Sequence, residues 1–135
     1  MATGSPYKFV KISEVSVLPY NTMVDVLAWV REVQPVEHMR SRDGRDARKR
    51  EVLLEDNSAG GSSIYLTLWQ AQADNFTQCK EVISLRSSFV REFNGVRSLS
   101  GIGGQSSYEM SPSCAGAEEL RLWATLPSSL ENVSL

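Results

Sequence analysis

At 135 residues, with 41% hydrophobic and 22% charged residues and a formal charge of −2, the chain is sized for one globular domain with a single core. No apolar run approaches the roughly 18 residues of a membrane helix, which argues against a spanning segment. Cys79 and Cys114 stand far apart, which excludes a disulfide framework or a C-x-x-C zinc knuckle and points to core thiols in a reducing, intracellular compartment.

In chain order, residues 1–8 lack a basic start and an apolar stretch and are not a signal peptide. They read as a leader, with a "TGS" that looks like a cloning remnant. "MVDVLAWVREV" (Met23 to Val33) sets Val24, Val26, Ala28 and Val30 against Asp25, Leu27, Trp29 and Arg31, a first strand by its period of two. Trp29 reads as core. A long loop follows, carrying Arg40, Arg42, Arg45, Arg48, Lys49 and Arg50, which is six of the fourteen Lys and Arg in the chain. Arg50 to Asp56 predicts a second strand, and "NSAGG" (Asn57 to Gly61) a turn. Ser63 to Trp69 predicts a third strand with Ile64, Leu66 and Leu68 inward and Tyr65, Thr67 and Trp69 outward. Gln70 to Phe76 can hold a short helix. Glu81 to Phe93 predicts a fourth strand, Asn94-Gly95 a tight hairpin, and Val96 to Ile102 a fifth strand. Gly116 to Leu126 has helical composition, with Trp123 as its anchor.

Five strands, a helix between the third and fourth, and a hairpin from the fourth to the fifth are the order of a five-stranded Greek-key OB-fold barrel. The expected class is therefore all-β with short helices. Its OB domain would span residues 9–110, followed by a C-terminal helix segment at 111–126 and a tail at 127–135.

Catalysis finds little support. His38 is the only histidine, and no G-x-S-x-G elbow accompanies any serine. The glycines of Ser100 to Ser106 lack a P-loop Lys and the dinucleotide fingerprint. Glu51, Glu55 and Asp56 have no partner ligand set for a metal. The expectation is a non-enzymatic domain with no cofactor and no metal.

Three segments carry a resemblance to a known family. "TLWQAQADNF" (Thr67 to Phe76), "FNGVRSLS" (Phe93 to Ser100) and "ELRLW" (Glu119 to Trp123) are similar to motifs of the replication protein A large subunit, in particular its second single-stranded-DNA-binding OB domain. The likeness runs from about Phe9 to Trp123 and suggests a paralogue domain. It implies a nuclear protein of DNA replication, repair or recombination that works beside further OB domains. It also implies single-stranded DNA held by two stacking aromatics at the positions of Trp69 and Phe93, because every base offers a π-face.

The resemblance places a basic residue at Arg86, with Arg91 nearby and Phe89 where another cation is expected. For Trp69 a lid on the barrel end is the competing reading. Phe93 shares the parity of Ile83, Leu85 and Phe89, so an unbroken strand buries it and a bulge near the hairpin exposes it. Arg97 reads either as a phosphate or stacking contact or as a solvated hairpin arginine. Beside Trp69 the Arg40 to Arg50 loop reads as a cover over the sugar–phosphate backbone, with Tyr65 and Thr67 on the binding strand. Two other functions stay open: an OB scaffold whose groove holds a protein partner, and an RNA-binding OB domain.

Overall fold

The computed structural model describes residues 9–40, 42–100, 107–113 and 116–125, the side chains of Phe93 and Ser107 excepted. The expectations that fall on Ile102 to Ser106, Cys114, Leu126 and the tail lie outside the described residues.

The barrel is built from β1 (Met23–Val33), β3 (Asp46–Asp56), β4 (Ser62–Trp69), β5 (Val82–Phe93) and β6 (Val96–Ser100). They run in the order β1-β3-β4-β6-β5, and β5 pairs back onto β1 to close the ring. All neighbours are antiparallel except β4 and β6. This is the OB-fold expected from the order of apolar segments. Closure leaves the barrel strands no long open edge. Val26, Val30, Val52, Leu54, Leu66, Ile83 and Leu99 meet in its core, each essentially sealed from solvent.

Several elements fall outside that expectation. A four-residue helix α1 (Ile12–Val15) covers one end of the core with Ile12 and Val15. It is tied down by Asp56, whose carboxylate accepts the Ile12 N–H at 2.8 Å and the Ser58 N–H at 3.0 Å. The Asn57–Gly61 turn contains a single 3-10 turn at Ser58–Gly60. Strand β7 (Ser107–Met110) pairs with β5.

The larger correction concerns the basic segment. It is not a long loop: β2 (Glu37–Arg40) pairs antiparallel with the start of β3, His38 opposite Arg48 and Arg40 opposite Asp46. Gly44, at φ +83, sits in the tip. Apolar alternation could not reveal β2, because Glu37, His38, Met39 and Arg40 are all exposed and only backbone pairing makes them a strand. His38 is accordingly a strand residue.

The fourth strand also departs from simple alternation. Val24 pairs with Ser88 but Val26 with Leu85, so β5 holds one extra residue. The bulge lies at Arg86 and Ser87, where Ser87 takes φ 58 and its N–H donates to the Asp25 carboxylate at 2.9 Å. The inward side chains therefore switch from Ile83 and Leu85 to Ser88 and Val90. Phe89 leaves the core parity expected of it and is only half-buried. The bulge exists, but well before the hairpin. The hairpin itself turns on Asn94 and Gly95, both with positive φ (54° and 80°), as a tight two-residue turn requires.

Helix α3 (Ala117–Thr125) docks on the outside of the barrel. Ala117 and Leu120 join Trp29 and Val82 in a second buried cluster, against which Leu27 and Trp123 pack. Trp123 thus anchors the helix as expected, and Trp29 is buried. Cys79, expected as a core thiol, is exposed instead.

Candidate nucleic-acid interface

Trp69 ends β4 on the parity opposite to Ile64, Leu66 and Leu68, and its side chain is 37% exposed. Gln70 follows with φ 55 and turns the chain at once into α2 (Gln70–Asn75). That left-handed corner is unusual for a residue with a side chain, and it holds the indole at the end of the strand. Lys49 lies directly across the ladder from Trp69, its ammonium 6.0 Å from the ring centroid. That distance is the outer limit of a cation–π contact. Thr67 and Tyr65 follow on the same outward face, both half-buried. The Thr67 hydroxyl lies 3.4 Å from the Glu51 carboxylate.

Alternation divides the basic run. Val52, Leu54 and Asp56 of β3 point inward, so Arg48 and Arg50 share the inward parity and turn towards α2. Arg48 makes a two-pronged ion pair with Asp74, with contacts at 2.7 and 2.8 Å. The shared hydrogen bond raises the Arg48 pKa and lowers that of Asp74. Arg50 donates to the carbonyl of Phe76, and its Nε is buried without a partner. Arg40 pairs with Asp46 at 3.6 Å and Arg45 with Asp43 at 3.3 Å, both at the exposed hairpin tip, where Arg42 is also exposed. Of the six cations only Lys49 shares the face of Trp69 and lies beside it. The contiguous cationic cover expected from the sequence is divided: Arg48 and Arg50 brace α2, Arg40, Arg42 and Arg45 sit at the hairpin tip, and Lys49 stands beside Trp69.

The residues of the β5–β6 hairpin separate in the same way. Arg97 has the parity of buried Leu99 and pairs with Glu92 at 3.1 Å, leaving its Nη1 buried without a partner. Arg86 lies at the bulge, opposite Ser107. The Arg91 guanidinium lies 5.6 Å from the ring centroids of both Tyr20 and Phe89 and donates to Asn21. Phe93 pairs with Val96 at the end of the ladder, on the backbone parity of Phe89 and Arg91. Tyr20 had no signal in strand alternation, because it precedes β1.

A cavity of about 170 Å³, lined by residues such as Phe9, Leu27, Gly116 and Leu120, borders none of these positions. Among the described residues no group of three His, Cys, Asp or Glu side chains could hold a metal ion, and no helix is long and apolar enough to cross a membrane.

A closed five-stranded barrel with a helix between its third and fourth barrel strands is an OB-fold, a class that holds oligonucleotides or oligosaccharides on its strands and loops. The family model for the replication protein A OB domain matches residues 12–110, and the chain belongs to that family. It is 35% identical over 119 residues to the replication protein A 70 kDa DNA-binding subunit of Drosophila melanogaster, covering 87% of this chain and 19% of that protein. It is 30% identical to replication factor A protein 1 of Saccharomyces cerevisiae, covering 87% and 18%. The chain thus spans about a fifth of the length of these relatives. A solved replication protein A heterotrimer bound to single-stranded DNA superposes with a TM-score of 0.77 at 28% identity, covering 88% of this chain and 28% of that one. The second OB-fold domain of replication protein A from Methanococcus maripaludis superposes at 0.59 with 21% identity, a likeness of fold.

Proposed function

We propose that this chain is a single-stranded-DNA-binding OB domain of a nuclear, replication protein A-like genome-maintenance protein, acting beside further OB domains of its parent and without chemistry of its own. The observation that carries this reading is Trp69. A tryptophan held at a strand end by a left-handed corner, partly exposed and with a lysine across the ladder, has the parts of a base platform with an adjacent phosphate contact. Tyr65 and Thr67 continue its face, and the hairpin tip adds a small positive field, Arg40 and Arg45 being offset by Asp46 and Asp43 while Arg42 is also present. The net charge of −2 is compatible with this, because steering depends on the local field.

The test is a titration of labelled oligo-dT, in parallel with duplex DNA, using wild type and Trp69→Ala. Stacking is typically worth ~1–3 kcal/mol, so the variant is expected to bind the single strand roughly 5- to 150-fold more weakly. A folded Trp69→Ala that binds oligo-dT like wild type would exclude the stacking role.

One observation favours a second reading, a protein-interaction OB scaffold. Arg48 and Arg97 are committed to Asp74 and Glu92 within the domain, which thins the cationic surface. Wild type that fails to bind oligo-dT at low salt would put this reading first.

A further inference from the structure

Among the described residues the exposed large aromatics are Trp69 and Tyr20, and Tyr20 is the more open at 55%. The chain around it is fixed. The Asn21 N–H donates to the Val90 carbonyl at 2.7 Å, and the Val90 N–H to the Thr22 carbonyl at 2.9 Å. The segment before β1 is thereby sewn onto β5 just past the bulge. Arg91 completes the arrangement. Its guanidinium is within cation–π range of both the Tyr20 and the Phe89 rings while it donates to the Asn21 side chain. The tyrosine thus has a guanidinium against its ring and still presents about half of its surface to solvent.

The ladders join this cluster to the Trp69 surface. Arg91 lies opposite Ser98, and Ser98 opposite Tyr65. Phe89 lies opposite Ser100, and Ser100 opposite Thr67. Two strand spacings, on the order of 10 Å, separate β4 from β5; Ser100 is buried at 6% exposure, so the open row is that of Tyr65, Ser98 and Arg91, where half-buried Ser98 raises no bulky barrier.

We propose that Tyr20, supported by Arg91 and Phe89, is a second nucleobase-stacking subsite, so that a single strand laid on Trp69 continues across β6 and places a further base on the Tyr20 ring. The inference rests on the single-stranded-DNA reading above. Its chemistry is sequence-tolerant: the π-face of a base meets an aromatic ring, and the neighbouring guanidinium offsets backbone charge. The bulge at Ser87 makes it possible, because without the extra residue Phe89 and Arg91 would have the inward parity.

The experiment measures binding of labelled oligo-dT of about 4 and about 16 nucleotides, the span of sites found on single OB domains, to wild type, Tyr20→Ala, Tyr20→Phe and Trp69→Ala. Tyr20→Ala is expected to lose roughly 5-fold or more in affinity for the longer strand and nothing for the shorter. Tyr20→Phe is expected to keep wild-type affinity for both, because the ring is the platform. Tyr20→Ala that binds both lengths like wild type overturns the subsite, and so does an equal loss at both lengths. A fall in melting temperature that accounts for the loss makes Tyr20 structural and also overturns it. If Trp69→Ala is weakened while Tyr20→Ala is not, only the subsite fails. If wild type binds neither strand, the single-stranded-DNA reading fails and the subsite with it.

Discussion

Trp29 and Trp69 occupy equivalent situations on their strands and opposite ones in the folded chain. Each lies on the outward parity of a barrel strand, Trp29 between inward Ala28 and Val30 and Trp69 after inward Leu68. Yet Trp29 is 8% exposed and Trp69 37%. The difference comes from what lies over them. Helix α3 brings Ala117 and Leu120 onto Trp29, whereas α2 turns away at Gln70 and leaves the Trp69 ring with Lys49. Alternation decides which side of the sheet a residue leaves by. It does not decide whether another element is waiting there.

Trp29→Ala is the harshest way to test that contrast. Emptying a buried tryptophan site costs about 3–5 kcal/mol, a large part of the stability of a domain this size. Denaturant unfolding should show a large fall in midpoint, together with loosening of α3 in hydrogen exchange. Trp69→Ala should do the reverse, costing no more than about 1 kcal/mol of stability while carrying the loss of oligo-dT affinity described above. A melting temperature that drops as far for Trp69→Ala as for Trp29→Ala would erase the distinction between the two sites.

A finer comparison lies within the basic run. Arg48 and Lys49 are adjacent, but strand alternation sends Arg48 to Asp74 and Lys49 to Trp69. Lys49→Ala should therefore reduce the slope of log affinity against log salt for oligo-dT by roughly 0.7, one phosphate contact. Arg48→Ala should leave the slope unchanged and lower the melting temperature only slightly, because solvent screens an exposed ion pair. Equal slopes in the two variants would mean that parity does not sort these cations.

Much of this was readable beforehand, for identifiable reasons. Met23 to Val33 alternates cleanly because one face of β1 is core, and Asn94-Gly95 announces its turn because both φ angles must be positive. The outward direction of Trp69 follows from Leu66 and Leu68. Strand β2 was hidden because a fully exposed hairpin arm has no apolar period. The bulge at Ser87 lies away from its expected place because a single extra residue reverses parity without changing composition, and what favours it is a tertiary hydrogen bond from the Ser87 N–H to the Asp25 carboxylate. The Arg48–Asp74 pair links positions 26 residues apart and leaves no local trace. Tyr20 belongs to the same group, since the cation over its ring, Arg91, comes from β5, adjacent in the closed barrel but far along the chain.

The mildest prediction concerns what keeps α3 over Trp29. Arg121 of α3 reaches Glu81, with contacts of 3.0 Å from both Nε and Nη2, and the same carboxylate accepts the Val82 N–H at 2.8 Å. The Val82 hydrogen bond first, and then those from Arg121 and Ser111, hold the Glu81 carboxyl below the usual glutamate range against the opposing effect of burial. A carboxyl whose pKa is lower folded than unfolded binds fewer protons in the folded state. Its stabilisation is therefore complete above the unfolded value of about 4.3 and is lost as pH falls through the lower folded value. Glu81→Gln has no such titration. The melting temperature of wild type should exceed that of Glu81→Gln by a constant margin from about pH 7 down to about pH 5, and the margin should close below about pH 4. Taking the difference between the two proteins at each pH removes the acid response of every other carboxylate they share. A margin that persists unchanged to the lowest pH at which both remain folded would mean that Glu81 helps hold the helix by shape and neutral hydrogen bonding, and that its charge contributes nothing to covering Trp29.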